Sequence, residues 1–377
     1  MINLITEYKK TLVDNFYHDS YVANKASNKY SFTGNHEIVL MSMIPVDPTE
    51  SWPNSSGNPH APRSGGDRFG TVTDVDDVIQ TLTLTHHTKW TKSIDGSDNS
   101  QQAYMKRAGD YMALMMREKI NPLRDKYTLQ KWCNGAGQVA TSANAPTKST
   151  IIGLLLDIEV AFSNAGVPED DRFCFMGYSS WKLVRMADEF INNGNALSDK
   201  TILRGEYGRI NTLRMVFVPD SYMPTNVYAI AVQKESVLAP LTWKTARVLE
   251  TAQGFDGPVM EYHDMWDAFV IGVRNKGVYV LCASAKKAAT PTIANPSGSG
   301  ASIYITATSS GATIYYTTDG TDPKYSDTAK TASSGGNIVI GQLTGLFRCA
   351  AKLETAGSEL YWSDEASQGY TNGAKNA

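Results

Sequence analysis

Cysteine is scarce: Cys133, Cys174, Cys282 and Cys349 are scattered along 377 residues, too few and too far apart for a disulfide framework. No CxxC pair occurs, and no histidine lies close enough in sequence to any of them to complete a zinc cluster. Isolated thiols of a reducing cytoplasm are therefore expected. Long hydrophobic runs are missing as well; none approaches the ~20 residues that a membrane helix needs. The opening stretch meets charge at Glu7, Lys9 and Lys10, too soon for a signal peptide. A basic surplus is also absent, since 35 Lys and Arg face 38 Asp and Glu for a net charge of −3. That balance excludes a dedicated nucleic-acid binder in bulk, and no membrane partner is expected.

What is present is ordinary globular material, 42% apolar and 19% charged, in a chain long enough for two or three domains. Residues 1–35 are polar and aromatic-spotted and read as an arm that must lean on something else. Glu37 to Met41 carries a strand signal. A matching one lies at Gln80 to Thr85, where Leu82 and Leu84 alternate with threonines. Between them, Asp47 to Asp77 is a long Pro-, Ser-, Gly- and Asp-rich loop. Two strands flanking a polar tip describe an extended β-hairpin, which is only marginally stable alone and is expected to lie on a neighbouring subunit.

A helix is predicted after the capping sequence Asp98-Asn99-Ser100, with Tyr104, Ala108, Tyr111, Met112, Met115 and Ile120 at helical spacing. Pro122 ends or kinks it, although Leu123, Tyr127 and Trp132 could continue its direction. A second helix starts at Ser149 as cap and stops at Gly166 before Pro168. Arg172 to Met176 reads as a buried strand, followed by a short helix from about Ser180 to Phe190. Further strands are expected at 214–218, 227–232, 246–251, 259–263 and 268–281, the last broken at Asn275-Lys276-Gly277. The class is α+β. From Ala285 the chain becomes a linker and then Ser-, Thr- and Gly-rich with short β segments to Tyr370, as in a small β-sandwich.

Candidate chemistry is thin. Gly177-Tyr178-Ser179-Ser180-Trp181 imitates a hydrolase elbow, but Trp181 occupies the position where G-x-S-x-G needs its second glycine; Ser179 or Ser180 is read as a helix cap. His86 and His87 point to opposite faces of a strand and cannot readily chelate one ion, and His263-Asp264 lacks a third ligand nearby. Asp74-Val75-Asp76-Asp77 lacks the glycine and terminal glutamate of a calcium loop. Asp319 and Asp322 read as turn residues. No catalytic residue, metal or cofactor is expected.

The order of arm, long hairpin, long helix and mixed α/β region resembles the major capsid proteins of tailed bacteriophages. Within it, Thr201 to Ile210 followed by Arg214 to Pro219, then Ala229 to Val237, then Tyr262 to Val278, are similar to passages of that family. The resemblance covers roughly residues 1–285. It implies an arm at 1–35, an extended hairpin loop at 36–97, peripheral and axial domains with a spine helix at 98–284, and a linker and added domain at 285–377. It further implies a virion component made in the host cytoplasm, assembling as hexamers and pentamers around double-stranded DNA, with separate scaffolding and portal proteins as partners. Inter-subunit ion pairs are expected between Arg63, Asp67 and Arg68 of the hairpin tip and acids such as Glu169, Asp170 or Asp171. Residues 38–88 contain no lysine, so lysine-to-asparagine cross-linking from the hairpin is not expected.

Gly311 to Pro323, with Ile314-Tyr315-Tyr316 as a strand and Asp319-Gly320 as a turn, resembles the non-catalytic immunoglobulin-like C-terminal domain of chitobiase-type glycosidases. This domain is expected to project outward and decorate the particle. Tyr315, Tyr316, Tyr361 and Trp362 are its candidates for contact with host glycans. The alternatives are a carbohydrate-binding phage or bacterial surface adhesin, or a glycosidase carrying an accessory domain. Residues 1–285 show neither eight strand–helix repeats nor a carboxylate pair on adjoining strand ends.

Overall fold

Period-two alternation at both ends of the expected hairpin produces paired strands. The computed structural model describes residues 20–30, 32, 37–43, 77–96, 99, 107–187, 206–250, 254–283, 288–294, 302–307, 309, 311–324, 326, 328–339, 343, 345–353, 361–363, 365–371 and 374–375. In it, β1 (Glu37–Met43) runs antiparallel to β2 (Asp77–Thr83), with Glu37 opposite Thr83 and Met43 opposite Asp77. The Asp74–Asp76 run and the rest of the tip lie outside the described residues. The chain turns at Leu84-Thr85 into β3 (His86–Ser93), which belongs to a different sheet.

The long helix is not ended by Pro122. After α1 (Ala108–Met115) the backbone widens into a π-turn over Met116–Ile120, then continues as α2 (Asn121–Asn134). A proline inside an α-helix has no amide to donate, and its ring collides with the carbonyl four residues back. The wide turn before Pro122, closed by the Asn121 amide on the Met116 carbonyl, absorbs that collision. Segments of 8, 5 and 14 residues thus make one spine of about 40 Å at 1.5 Å per residue. Asp98 and Ser100 of the expected cap lie outside the described residues.

β4 (Gln138–Ser142) follows, a strand that the glycine-rich stretch before it concealed. α3 (Ile151–Asn164) has Thr150, not Ser149, at its cap position, and no side chain caps it. Its end is as punctuated as the sequence implies. Gly166 adopts φ +69°, and the Val167 amide reaches the Phe162 carbonyl at 3.0 Å while that of Gly166 reaches Ser163 at 3.1 Å. β5 (Arg172–Gly177) leads into α4 (Tyr178–Arg185), shorter than expected. The remaining strands of the body are β6 (Glu206–Ile210), β7 (Leu213–Val218), β8 (Val227–Gln233), β9 (Val237–Leu238), β10 (Leu241–Leu249), β11 (Val259–Trp266), β12 (Phe269–Val270) and β13 (Val278–Ala283). A 3-10 turn, Gly272–Gly277, makes the expected break before β13.

Six of these strands form one mixed sheet in the order β4-β13-β8-β5-β7-β6. Successive side chains on a strand point to opposite faces, and here both faces are apolar. Phe173, Phe175, Val216, Ile230, Val232 and Val280 meet Leu129, Trp132 and Cys133 of α2 on one side. Cys174, Met176, Met215, Phe217, Ala231 and Leu281 meet Ile151, Leu155, Ile158 and Phe162 of α3 on the other. Burying each such aliphatic side chain contributes about 1.5–3 kcal/mol. Tyr21, Val22 and Ala26 of the arm complete the first layer, so the arm leans on its own chain. A second, three-stranded antiparallel sheet has the order β10-β11-β3.

The C-terminal region is a sandwich. One sheet joins β14 (Thr292–Ala294), β15 (Ser302–Thr306) and β18 (Gly336–Val339). The other joins β16 (Ala312–Thr317), β17 (Lys330–Ala332), β19 (Gly345–Leu353), β20 (Tyr361–Trp362), β21 (Ala366–Thr371) and β22 (Ala374–Lys375). Ile303, Ile305, Ile314, Ile338, Phe347 and Tyr370 fill the space between them.

Gly177 is a close-approach glycine: a Cβ there would fall 2.1 Å from the Asp220 Oδ1 atom. Asp220 accepts from the Ser179 amide at 3.1 Å and from its hydroxyl, so Asp220, and not either serine, serves the start of α4. Gly177→Ala is expected to lower unfolding stability by about 1–3 kcal/mol, read as a lower urea midpoint. All four cysteines are buried and none is in a disulfide, and burial pushes the Cys174 thiol, and with help from Glu365 the Cys349 thiol, up to about 12. An aromatic disulfide reagent at neutral pH should find no reactive thiol in the native protein and four after denaturation.

Candidate assembly interface

The hairpin offers an outward apolar face. Strand alternation turns Ile38 and Leu40 inward against Leu82, Leu84, Met265 and Ile271, while Val39, Met41 and Met43 are 54%, 66% and 73% exposed. A cleft of about 640 Å³ separates this strand from the 3-10 turn and the sandwich, with Met41, Met43, Val273, Asn275, Asp322 and Arg348 among its walls. Asn275 donates to Asp322 at 2.7 Å across it, fastening the sandwich to the body.

Buried polar groups fix where the hairpin leaves the body. The Gln80 side chain donates to the Val270 carbonyl at 3.1 Å and accepts from the Gly272 amide at 2.7 Å. Asp267 accepts from the Thr85 amide (3.0 Å) and hydroxyl (2.7 Å), from the Tyr127 hydroxyl (3.0 Å) and from the Ala268 amide (2.7 Å). One carboxylate thereby ties the hairpin corner, the spine helix and the end of β11. Burial pushes the Tyr127 hydroxyl up, and the neighbouring Asp267 charge pushes it further.

Asp264 is fully buried and pairs with Arg124 of α2, while accepting from the Tyr262 hydroxyl. Arg124 also lies 5.7 Å from the Trp266 ring centre, over its face. Burial lowers the Arg124 pKa and raises that of Tyr262. His86 stacks on Trp266 at 4.8 Å, and Trp90 on Tyr262 at 5.9 Å, filling the face of the sheet that looks at the spine. Asp125, its pKa raised by burial against its hydrogen bonds, receives the Ser20 hydroxyl (2.6 Å) and Tyr21 amide (2.7 Å), anchoring the arm.

This arrangement of hairpin, spine and two-faced sheet is shared with solved structures of phage particles. A structure from Mycobacterium phage Che8 superposes with a TM-score of 0.55 at 14% identity, over 74% of this chain and 98% of that one. The capsid of cyanophage P-SCSP1u gives 0.57 at 10% identity, over 75% and 93%. The mature capsid of bacteriophage PhiM1 gives 0.53 at 10%, over 74% and 92%. The body has the tailed-phage capsid fold. Residues 303–351 match the family model described as Fn3 associated, in keeping with an immunoglobulin-like sandwich added to that capsid fold. No curated protein sequence matches the chain.

Against this capsid fold, the sequence-derived contact residues divide. Arg63, Asp67 and Arg68 lie outside the described residues. Glu169 and Asp170 are exposed at the turn between α3 and β5, whereas Asp171 pairs within its own chain with Arg214 at 3.5 Å. In the sandwich, Tyr315 and Trp362 come together with ring centres 4.9 Å apart, but Trp362 is buried and Lys352 lies over both rings, on a face that a stacked sugar would need. Tyr316 stacks on Phe347 in the core, and the Tyr361 side chain lies outside the described residues. Asp319 is the expected turn residue, accepting from Thr321 and Thr328 beside Gly320 at φ +79°.

Asp125 and Asp267 escaped the sequence reading, and Asp264 entered it only beside His263, as half of a rejected metal pair. The one available signal was charge inside apolar runs, as in Met260 to Phe269. Among the described residues no helix is long and apolar enough to cross a membrane.

Asp264→Ala leaves the largely buried Arg124 without its carboxylate partner and is expected to lower stability by about 3 kcal/mol. The double change Asp264→Leu with Arg124→Met should recover most of that loss. Urea unfolding followed by tryptophan fluorescence, sensitive here through Trp90 and Trp266, measures both.

Proposed function

We propose that the chain is the major capsid protein of a tailed bacteriophage, self-assembling as hexamers and pentamers into an icosahedral head shell around double-stranded DNA. The observation that carries this reading is coverage. The two capsid chains named above are spanned to 93% and 92% of their own lengths, so the likeness takes in a whole capsid subunit and not a shared motif. The exposed apolar strand face supports it, because a two-stranded hairpin gains stability only against another surface. A protruding hairpin and flat body also supply the several dissimilar contacts that a closed shell requires.

In this reading residues 1–35 are the arm, 36–97 the extended hairpin loop, 98–284 the peripheral and axial domains, and 285–377 the linker and a domain decorating the exterior. Arg63, Asp67 and Arg68 reach the exposed Glu169 and Asp170 of a neighbouring copy. Scaffolding and portal proteins are the partners in assembly, the chain is made in the host cytoplasm, and the DNA is enclosed without sequence-specific contact. The role is structural, without catalysis.

Negative-stain electron microscopy of the purified chain, alone and coexpressed with scaffolding candidates, tests this directly. Icosahedral shells, or sheets of hexamers and pentamers, are the expected outcome; monomers or small oligomers under every condition would overturn it. Met41→Asp with Met43→Asp should abolish shells while shifting subunit stability by no more than about 0.5 kcal/mol, because both side chains are exposed.

A further inference from the structure

His86 and His87 do point to opposite faces of β3, as adjacent strand residues must. His86 is consumed by Trp266 and Tyr127 on the spine side. His87 emerges on the other face and meets a residue 176 positions away. In the β3–β11 register His87 stands opposite Met265 and His263 opposite Lys89, so the two histidines are diagonal neighbours on one face. Their rings lie edge to face, with centres 4.1 Å apart and planes at 88°, and the two Nε2 atoms are in direct contact.

We propose that His87 and His263 form a two-imidazole site for a divalent late first-row metal ion, of the class of Zn²⁺, Ni²⁺ or Cu²⁺. Two neutral imidazoles that present Nε2 to each other supply the nitrogen donors that such ions favour, the rings parting until each nitrogen lies about 2.0–2.1 Å from a zinc ion. His87 is exposed and His263 half-buried, so the remaining coordination positions open to water. Among the described residues no third His, Cys, Asp or Glu completes the set. The nearest carboxylate along the face, Glu261, is engaged by Arg247. Lys89, across from His263, is exposed and keeps its ammonium in solvent on a long stem. Without metal the same contact is one imidazole N–H donated to the other ring's nitrogen.

The position gives the site a consequence. β3 continues directly from the hairpin strand β2 through Leu84 and Thr85, and Met265, opposite His87, belongs to the apolar cluster beneath the hairpin. A bridging ion would cross-link β3 to β11 at the hairpin's root.

Isothermal titration of tag-free full-length protein with Ni²⁺ at pH 7.5 should find one saturable site per chain. His87→Ala and His263→Ala should each weaken it at least tenfold, and His60→Ala should leave it unchanged. Because bound imidazoles must be neutral, affinity should fall at least tenfold on going to pH 5.5. Saturating Ni²⁺ should raise the melting midpoint of the wild-type chain but of neither single variant. The midpoints without metal separate loss of the site from loss of the fold, and His87→Gln and His263→Asn serve where an alanine variant fails to fold. Absence of saturable binding, or equal binding by wild type and both single variants, would overturn the proposal.

Discussion

A sheet that is apolar on both faces cannot meet water on either, and most of the body follows from covering the six-stranded one. Its central strands leave no polar side to expose, so α2 must lie across one face and α3 with α4 across the other. The spine helix leaves part of its layer open, and the arm fills that part with Tyr21, Val22 and Ala26. Arg172, buried at the start of β5, shows how tightly the far layer closes. Its guanidinium is spent on the carbonyls of Val167 and Pro168 and on the Thr212 hydroxyl, locking the turn that ends α3. With both faces used internally, the hairpin has only its root to rest on.

That root is held by directional bonds as well as by its apolar cluster. Apolar contacts set how much surface is buried but tolerate sliding, whereas a carboxylate with four donors admits few arrangements. Asp267 collects Thr85, Tyr127 and Ala268, and Gln80 bridges to Val270 and Gly272. Asp264 and Arg124 add a pair whose desolvation costs much of what its attraction returns, so its contribution lies in orientation more than in stability. The hairpin therefore leaves the body at a defined angle even though its outer face is largely exposed.

Much of this was legible wherever the determining contacts are local. Leu82 and Leu84 alternating with threonines announced the hairpin, the apolar run from Phe173 announced a buried strand, and Gly166 with Pro168 announced the end of α3. The misreadings share a physical cause. Pro122 left open whether the helix ends, kinks or continues, because spacing rules assume α geometry, and the π-turn lies outside that assumption. β4 carries little alternation of its own and exists because β13, well over a hundred residues later, pairs with it. Ser179 looked like a cap until Asp220 arrived from another loop. His87 with His263, and Thr85 with Asp267, are separated by more than 170 residues, so no local spacing rule could have joined them.

The burial of Cys133, Cys174, Cys282 and Cys349 has a practical side. Nature has left the outside of this molecule silent toward thiol chemistry. A single cysteine engineered into an exposed loop of the sandwich would be its one addressable handle. Dyes, peptides or enzymes could then be attached at that one position without first stripping the native sulfurs, whose removal would open cavities in three separate packed layers.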